Sequence, residues 1–158
     1  MTEKTMPITG GCLCGAIRFE SKDPPMEGYY CHCTLCQKSY GGLFSATLRV
    51  PGSGFRYTKG EPKIYRATNF AKRSFCLECG SPMPFVYEGG ADVWIKIGTL
   101  DHPGDWPMTS DASWGNSQHW YIDSRIPWER ISDGLPQLTG AANVQKVAEE
   151  HVTRAPRK

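Results

Sequence analysis

Gly11-Cys12-Leu13-Cys14-Gly15 returns in outline about sixty residues later as Cys76-Leu77-Glu78-Cys79-Gly80. Each cysteine pair is followed by a glycine, which lets the backbone turn tightly, with positive φ where needed. Backbone N–H groups in such a turn can point at the sulfurs and orient them. Four cysteines are the complement of a closed tetrahedral zinc site. The spacing therefore predicts that Cys12, Cys14, Cys76 and Cys79 share one structural zinc ion and pin two distant strands together. The competing reading is a set of buried thiols that hold no metal.

Between the two knuckles lies Cys31-His32-Cys33-Thr34-Leu35-Cys36, with three cysteines in six residues and no Cys-Gly ending. Three thiolates on one tight loop can hold a zinc ion and leave its fourth position open, the feature that separates catalytic from structural zinc. That position would take water or an outside thiol. His32 lies between two ligands, so its side chain is expected to point away from the metal, toward a pocket wall or a hydrogen-bond partner. Two other readings stand beside this one. Cys33 and Cys36 could form a redox dithiol, or the trio could be a structural site completed by His102 or His119.

Length and composition set the frame. The chain has 158 residues, 39% hydrophobic and 22% charged, which suits one domain over residues 1–158 with its core at about 8–138. The balance is wrong for a disordered chain, and no apolar run approaches the roughly 18 residues of a membrane span. The N-terminal residues lack the apolar stretch of a secretory signal, and an odd cysteine count argues against a disulfide framework. A reducing, cytoplasmic location is the resulting expectation. The formal charge of +2 counts the cysteines as neutral thiols; seven thiolates on two zinc ions would turn it to −1. No nucleic-acid footprint and no membrane partner is read from it.

Hydrophobic periodicity gives short strands. Ala16-Ile17-Arg18-Phe19-Glu20 alternates with Ile17 and Phe19 on one face, and Phe44, Ala46, Leu48 and Val50 repeat the pattern up to Pro51. Phe85 and Tyr87, then Val93, Ile95 and Ile97, read as two strands joined by a Gly89-Gly90 turn. Residues 1–10 read as a loose lead-in. The stretch 101–136, with four of the five tryptophans, reads as a structured loop region with short strands, among them Trp120-Tyr121-Ile122. Ala141 to His151 is the one helix expected, with Val144, Val147 and Ala148 on one side, and Thr153 to Lys158 is expected to be a disordered basic tail. The fold class is mainly β, with short antiparallel strands hung on metal knuckles.

These residues resemble the glutathione-dependent formaldehyde-activating enzyme/centromere protein V family. The matching elements are Gly11-Cys12-Leu13-Cys14-Gly15, Cys31-His32-Cys33-Thr34-Leu35-Cys36-Gln37-Lys38 and Arg73-Ser74-Phe75-Cys76-Leu77-Glu78-Cys79-Gly80-Ser81. Ser124-Arg125-Ile126-Pro127-Trp128 through Asp133-Gly134-Leu135-Pro136 is similar to the family's C-terminal signature. The resemblance implies a β-tent fold, structural zinc on Cys12, Cys14, Cys76 and Cys79, and catalytic zinc on Cys31, Cys33 and Cys36. It also implies a carbon–sulfur lyase that adds glutathione to formaldehyde to give S-hydroxymethylglutathione.

In that chemistry a thiol at the open position loses its proton and its sulfur attacks a small aldehyde. The new hydroxyl then needs a proton, for which His32 and His119 are the candidates; His119 also reads as a packed loop residue. Lys38, Arg73 and Lys96 are candidates to pair with glutathione's carboxylates, or else solvated charges, with Arg73 the best placed. Trp106, Trp114 and Trp120 could wall the pocket or simply pack on the sheet. His102-Pro103 reads as a turn and His151 as a solvated helix end. Two further functions share these residues: a non-catalytic thiol carrier, and an interaction module in which both zinc ions are structural.

Overall fold

Ile17 and Phe19, the apolar pair of the first alternating stretch, are both buried. The structure, a computed structural model, describes residues 6–114 and 116–140. Its strands are β1 (Ile8–Gly11), β2 (Arg18–Ser21), β3 (Glu27–Cys31), β4 (Ser45–Pro51), β5 (Phe55–Lys59), β6 (Lys63–Tyr65), β7 (Ala71–Phe75), β8 (Pro82–Tyr87), β9 (Asp92–Lys96) and β10 (Asn116–Trp120), with one helix, α1 (Thr34–Tyr40). The class is mainly β, as expected. A three-stranded sheet runs β1-β2-β5, and a seven-stranded sheet runs β10-β3-β4-β9-β8-β7-β6. No helix among the described residues is long and apolar enough to cross a membrane.

The alternating stretches became strands because period-two burial is what a sheet packed on one face selects. β4 and β9 pair antiparallel with Leu48 opposite Ile95, and both side chains are fully buried. β8 reaches β9 through a turn at Gly89, whose φ is +70°. Ile97, expected in the strand, instead opens a 3-10 turn over Ile97–Thr99. Two buried apolar clusters form. One holds Ile8, Phe19, Leu48, Met83 and Ile95 together with Cys12 and Cys76; the other holds Tyr29, Phe85, Trp94 and Trp120 together with Cys31, Cys33 and Cys36. Each cysteine group is thus part of its own apolar cluster.

Three further expectations need correction. Residues 8–10 are not a loose lead-in: β1 pairs with β2, Ile8 opposite Ser21. Gly10 is required there, since a Cβ would lie 2.3 Å from Thr99 O and 2.5 Å from the Phe19 ring. The sheet is not wholly antiparallel, because β10 runs parallel to β3, with Trp120 opposite Cys31. Trp120-Tyr121-Ile122 is not one strand: β10 ends at Trp120, Tyr121 takes a left-handed φ of 57°, and Ile122–Ser124 is a 3-10 turn. The only α-helix among the described residues is α1, which starts after Cys33 and carries Cys36 in its first turn. The helix expected at Ala141 to His151 and the tail after it lie outside the described residues.

Candidate metal centres

Cys12 and Cys14 sit in the turn between β1 and β2, and Cys76 and Cys79 in the turn between β7 and β8. The two turns match: Gly15 and Gly80 take φ of +75° and +74°, and their N–H groups donate to Cys12 O and Cys76 O. Ile17 N–H donates to Cys12 Sγ at 3.2 Å. Ser81 ties the turns together, its Oγ accepting Leu13 N–H at 3.0 Å and lying 3.2 Å from Cys79 Sγ. That hydroxyl is the first cause holding the Cys79 thiol down, to about 6.

The four sulfurs lie within 4.8 Å of one another, with Cys12 to Cys14 at 3.5 Å and Cys14 to Cys76 at 3.8 Å. A tetrahedral ion with metal–sulfur bonds of about 2.3 Å spaces its sulfurs by about 3.8 Å. All seven cysteines are free of disulfides. Both donor set and spacing fit a metal ion such as zinc.

The trio is built differently. Cys31 ends β3, Cys33 caps α1 by accepting Cys36 N–H on its sulfur at 3.4 Å, and Cys36 lies in the first turn. A thiol in place of the usual Ser or Asp cap ties helix formation to the ligand loop. The three sulfurs also lie within 4.8 Å of one another, and all are buried. Neither His102, which is exposed, nor His119 joins them. A pocket lined by the three cysteines, Tyr29, Trp120 and Arg73 has about 20 Å³ of free space, room for one water-sized group.

Arg73 and Lys96 are buried beside the trio. Arg73 Nη1 donates to Tyr40 OH at 2.8 Å, and Lys96 Nζ donates to Ser45 Oγ at 2.7 Å and Thr47 Oγ1 at 2.8 Å. Burial pushes the Lys96 ammonium down to about 7, and a Cys36 thiolate opposes that shift. Lys38 is exposed in the last turn of α1. Trp106 and Trp114 pack edge to face on the other apolar cluster; of the three loop tryptophans only Trp120 lines the pocket.

Strand alternation sets the place of the two histidines. Along β3, Tyr29 and Cys31 face the pocket, so Tyr30, and His32 just beyond the strand, face the other way. Trp120 stacks on Tyr29 at 3.8 Å, while His119 stacks on Tyr30 at 4.9 Å. The histidines therefore meet on the sheet face opposite the sulfurs, in a chain of four groups. Asp133 Oδ2 lies 2.8 Å from His119 Nε2, His119 Nδ1 lies 2.8 Å from His32 Nε2, and His32 Nδ1 lies 3.2 Å from Glu129 Oε2.

The contacts assign the protons. A carboxylate at Asp133 places the proton on His119 Nε2, so His119 Nδ1 accepts from His32 Nε2–H. With His32 neutral, its Nδ1 is a bare lone pair facing Glu129 Oε2, and neither atom has a hydrogen-bond partner among the described residues; a proton on Glu129 would make that contact favourable. Burial pushes the Glu129 carboxyl up and, together with His119, pushes His32 down to about 4. At Asp133 burial acts upward, but Leu135 N–H and His119 outweigh it and hold the carboxyl below its usual value.

A test follows from the sign of the Glu129 shift. A carboxyl raised in the fold stabilises below its ordinary value of about 4.3 and loses that contribution as pH rises through the folded value. Glu129→Gln replaces the carboxyl O–H with an amide N–H donor that does not titrate. Its Tm at pH 7 should equal or exceed the parent's, and its melting curve should vary less between pH 4 and 7. A variant several degrees less stable at pH 7 would show that Glu129 is charged in the fold.

Several site residues carried no sequence signal of their own. Tyr29 was recoverable from period two counted back from Cys31, and Glu129 and Asp133 lay within the quoted C-terminal stretch without a role. Ser45 and Thr47, which hold Lys96, read only as strand residues.

A family model described as glutathione-dependent formaldehyde-activating enzyme matches residues 7–122. An uncharacterized lyase of Schizosaccharomyces pombe is 33% identical over 88 residues, 54% of this chain and 62% of that protein. A protein of Halomonas elongata, named provisionally as a glutathione-dependent formaldehyde-activating enzyme, is 33% identical over 92 residues, 49% of this chain and 55% of that protein. The chain thus spans between half and two thirds of the length of these curated relatives. A crystal structure of a Rhodobacter sphaeroides protein aligns with 59% of this chain and 87% of that chain, at 24% identity and a TM-score of 0.46.

Proposed function

The chain belongs to the glutathione-dependent formaldehyde-activating enzyme family, and from that premise we propose that it is a carbon–sulfur lyase joining a thiol such as glutathione to a small aldehyde such as formaldehyde. The observation that carries the reading is the buried trio Cys31, Cys33 and Cys36: three sulfur donors, against four in the other cluster, beside a pocket that admits one more atom. A zinc ion held there would lower the pKa of an incoming thiol and keep its sulfur nucleophilic and in place.

The chain's own residues do the rest. Tyr29, Trp120 and Phe70 exclude water from the pocket. The cap between Cys33 and Cys36 fixes two ligands on one rigid turn. The reaction forms one C–S bond and moves the thiol proton to the aldehyde oxygen, so it needs a proton carrier but no net donor. His32 and His119 act from behind, where their chain to Asp133 and Glu129 holds β3 and β10 in register under the trio. Residues 8–138 work as one unit, with Cys12, Cys14, Cys76 and Cys79 holding a structural zinc ion.

The test is zinc per chain on protein purified without added metal or chelator, followed by exchange spectroscopy of formaldehyde with glutathione. About two zinc ions per chain are expected, one for each cysteine group, with adduct formation faster than in the protein-free mixture. Two zinc ions and thiol binding without rate enhancement would make it a thiol carrier. One zinc ion would remove the open site and favour a Cys33/Cys36 dithiol.

A further inference from the structure

We propose that Arg73 and Lys96 make the open position of the trio selective for an anionic sulfur ligand, a thiolate, over neutral donors. This rests on the reading that Cys31, Cys33 and Cys36 hold a divalent metal ion with one position free. Both cations are nearly inaccessible, at 4% and 6% exposure. They stand over the same two rings: the Arg73 guanidinium is 4.9 Å from the Phe85 centroid and 5.7 Å from that of Tyr40, and Lys96 Nζ is 4.5 Å and 4.1 Å from them. Their hydrogen-bond acceptors are neutral hydroxyls, those of Tyr40, Ser45 and Thr47. Among the described residues, no ion pair joins either cation to a carboxylate.

Buried charge without a counter-charge is strongly unfavourable, so the cations must be balanced from within the pocket. The anions at hand are the three sulfurs; Arg73 lines the same pocket. Three thiolates and a divalent ion carry one net negative charge. With Arg73 and Lys96 both protonated, the state that sulfur anions beside them favour, the sum becomes one net positive charge. A fourth thiolate brings the buried group to neutrality, whereas water, imidazole or an aldehyde leaves it positive. The other cluster lacks this arrangement: Cys14 is exposed, and the nearby Arg18 is paired with Asp101.

The probe is the cobalt(II)-loaded protein, whose visible spectrum reports its ligands. It would be titrated with 2-mercaptoethanol and, separately, with imidazole. The wild type should bind the thiol with release of a proton and bind imidazole poorly. Lys96→Met should weaken thiol binding by about tenfold or more, the scale of one unit charge acting across a buried site, and leave imidazole binding unchanged or tighter. Lys96→Arg should keep the preference. Equal loss for both ligands in Lys96→Met, or no change in either, overturns the proposal while leaving the open position intact. A wild type that takes imidazole as readily as the thiol also overturns it, and needs no variant that might fail to fold. A wild type whose spectrum answers to neither ligand overturns the open position itself, and this proposal with it.

Discussion

Cys76→Ala is expected to leave a chain that does not fold. The Cys76 side chain is almost wholly buried in the apolar cluster that carries Ile8, Phe19 and Leu48, and its sulfur lies 3.8 Å from Cys14 Sγ. It fastens the turn between β7 and β8 to the turn between β1 and β2, two segments that belong to different sheets. A structural zinc ion supplies about 10–16 kcal/mol of folding free energy, while a whole domain is stable by only about 5–15 kcal/mol. Losing an ion held there would therefore exceed what the rest of the chain can hold. Circular dichroism and elemental analysis should show lost near-ultraviolet signal and no retained zinc. Cys33→Ala is the contrast. It removes the sulfur cap of α1, worth about 1 kcal/mol, and one donor of the proposed second ion, but β1, β2, β7 and β8 stay fastened. A folded protein with about one zinc ion and no thiol binding is expected, since three donors cannot become two and stay a site. If Cys33→Ala unfolds the chain as badly as Cys76→Ala, the division between structural and open site is wrong. If Cys76→Ala keeps native spectra, the first cluster is not what holds the sheets together.

What made the grouping of four cysteines and three legible in the sequence was local: cysteine spacing and a glycine after each outer pair. The turns at Gly15 and Gly80 need only their own few residues to form, so a reading of the residues reaches them. β4 and β9 were legible because Leu48, Val50, Val93 and Ile95 all face one buried cluster. β1 was hidden by its own composition. Gly10 and Gly11 are poor strand formers, yet the Phe19 ring and Thr99 O leave no room for a side chain at position 10, so the glycine that hides the strand is the residue its pairing requires. α1 was hidden by length and by its cap, since seven residues seldom make a helix unaided and a cysteine cap is rarely read as one. The parallel pairing of β3 with β10 joins residues some ninety positions apart and has no local signature. His32 is the instructive case. Its place between two cysteines predicted that it points away from a metal there, toward a pocket wall or a hydrogen-bond partner; it points to the far face of the sheet, where His119 is its partner. The same alternation turns Lys96 to the face opposite Ile95, which from sequence reads as solvent; only the fold shows that β9 is buried on both faces, with a sulfur cluster near the lysine.

Trp120→Ala is expected to cost about 3–5 kcal/mol of stability, the range for emptying a large aromatic site in a core. Trp120 is 1% exposed, and its ring lies parallel to that of Tyr29 at 3.8 Å with an interplanar angle of 6°. Its carbonyl accepts His32 N–H at 3.0 Å, so the residue joins the end of β10 to the ligand loop. The ring is one wall of the trio's pocket, and on the other face of the same strand His119 makes the contacts that orient His32. Truncation thus removes packing on the sulfur side without touching the histidine chain directly. Urea unfolding should show a lower midpoint with an unchanged slope, the mark of lost stability rather than an altered unfolded state. Trp120→Phe separates packing from polarity. Among the described residues the indole N–H of Trp120 has no hydrogen-bond partner, and a buried unpaired donor costs about 1–3 kcal/mol. Phe gives up some stacked area but also that penalty, so it should stay within about 1–2 kcal/mol of the parent. Trp120→Ala should also loosen the pocket, so that bulkier thiols compete with 2-mercaptoethanol on the cobalt protein. A loss below about 1 kcal/mol for Trp120→Ala, well under the core range, would mean that the stack on Tyr29 does not hold β10 against β3. The register that keeps His32 and Cys31 on opposite faces would then have to come from the chain of Asp133, His119 and Glu129.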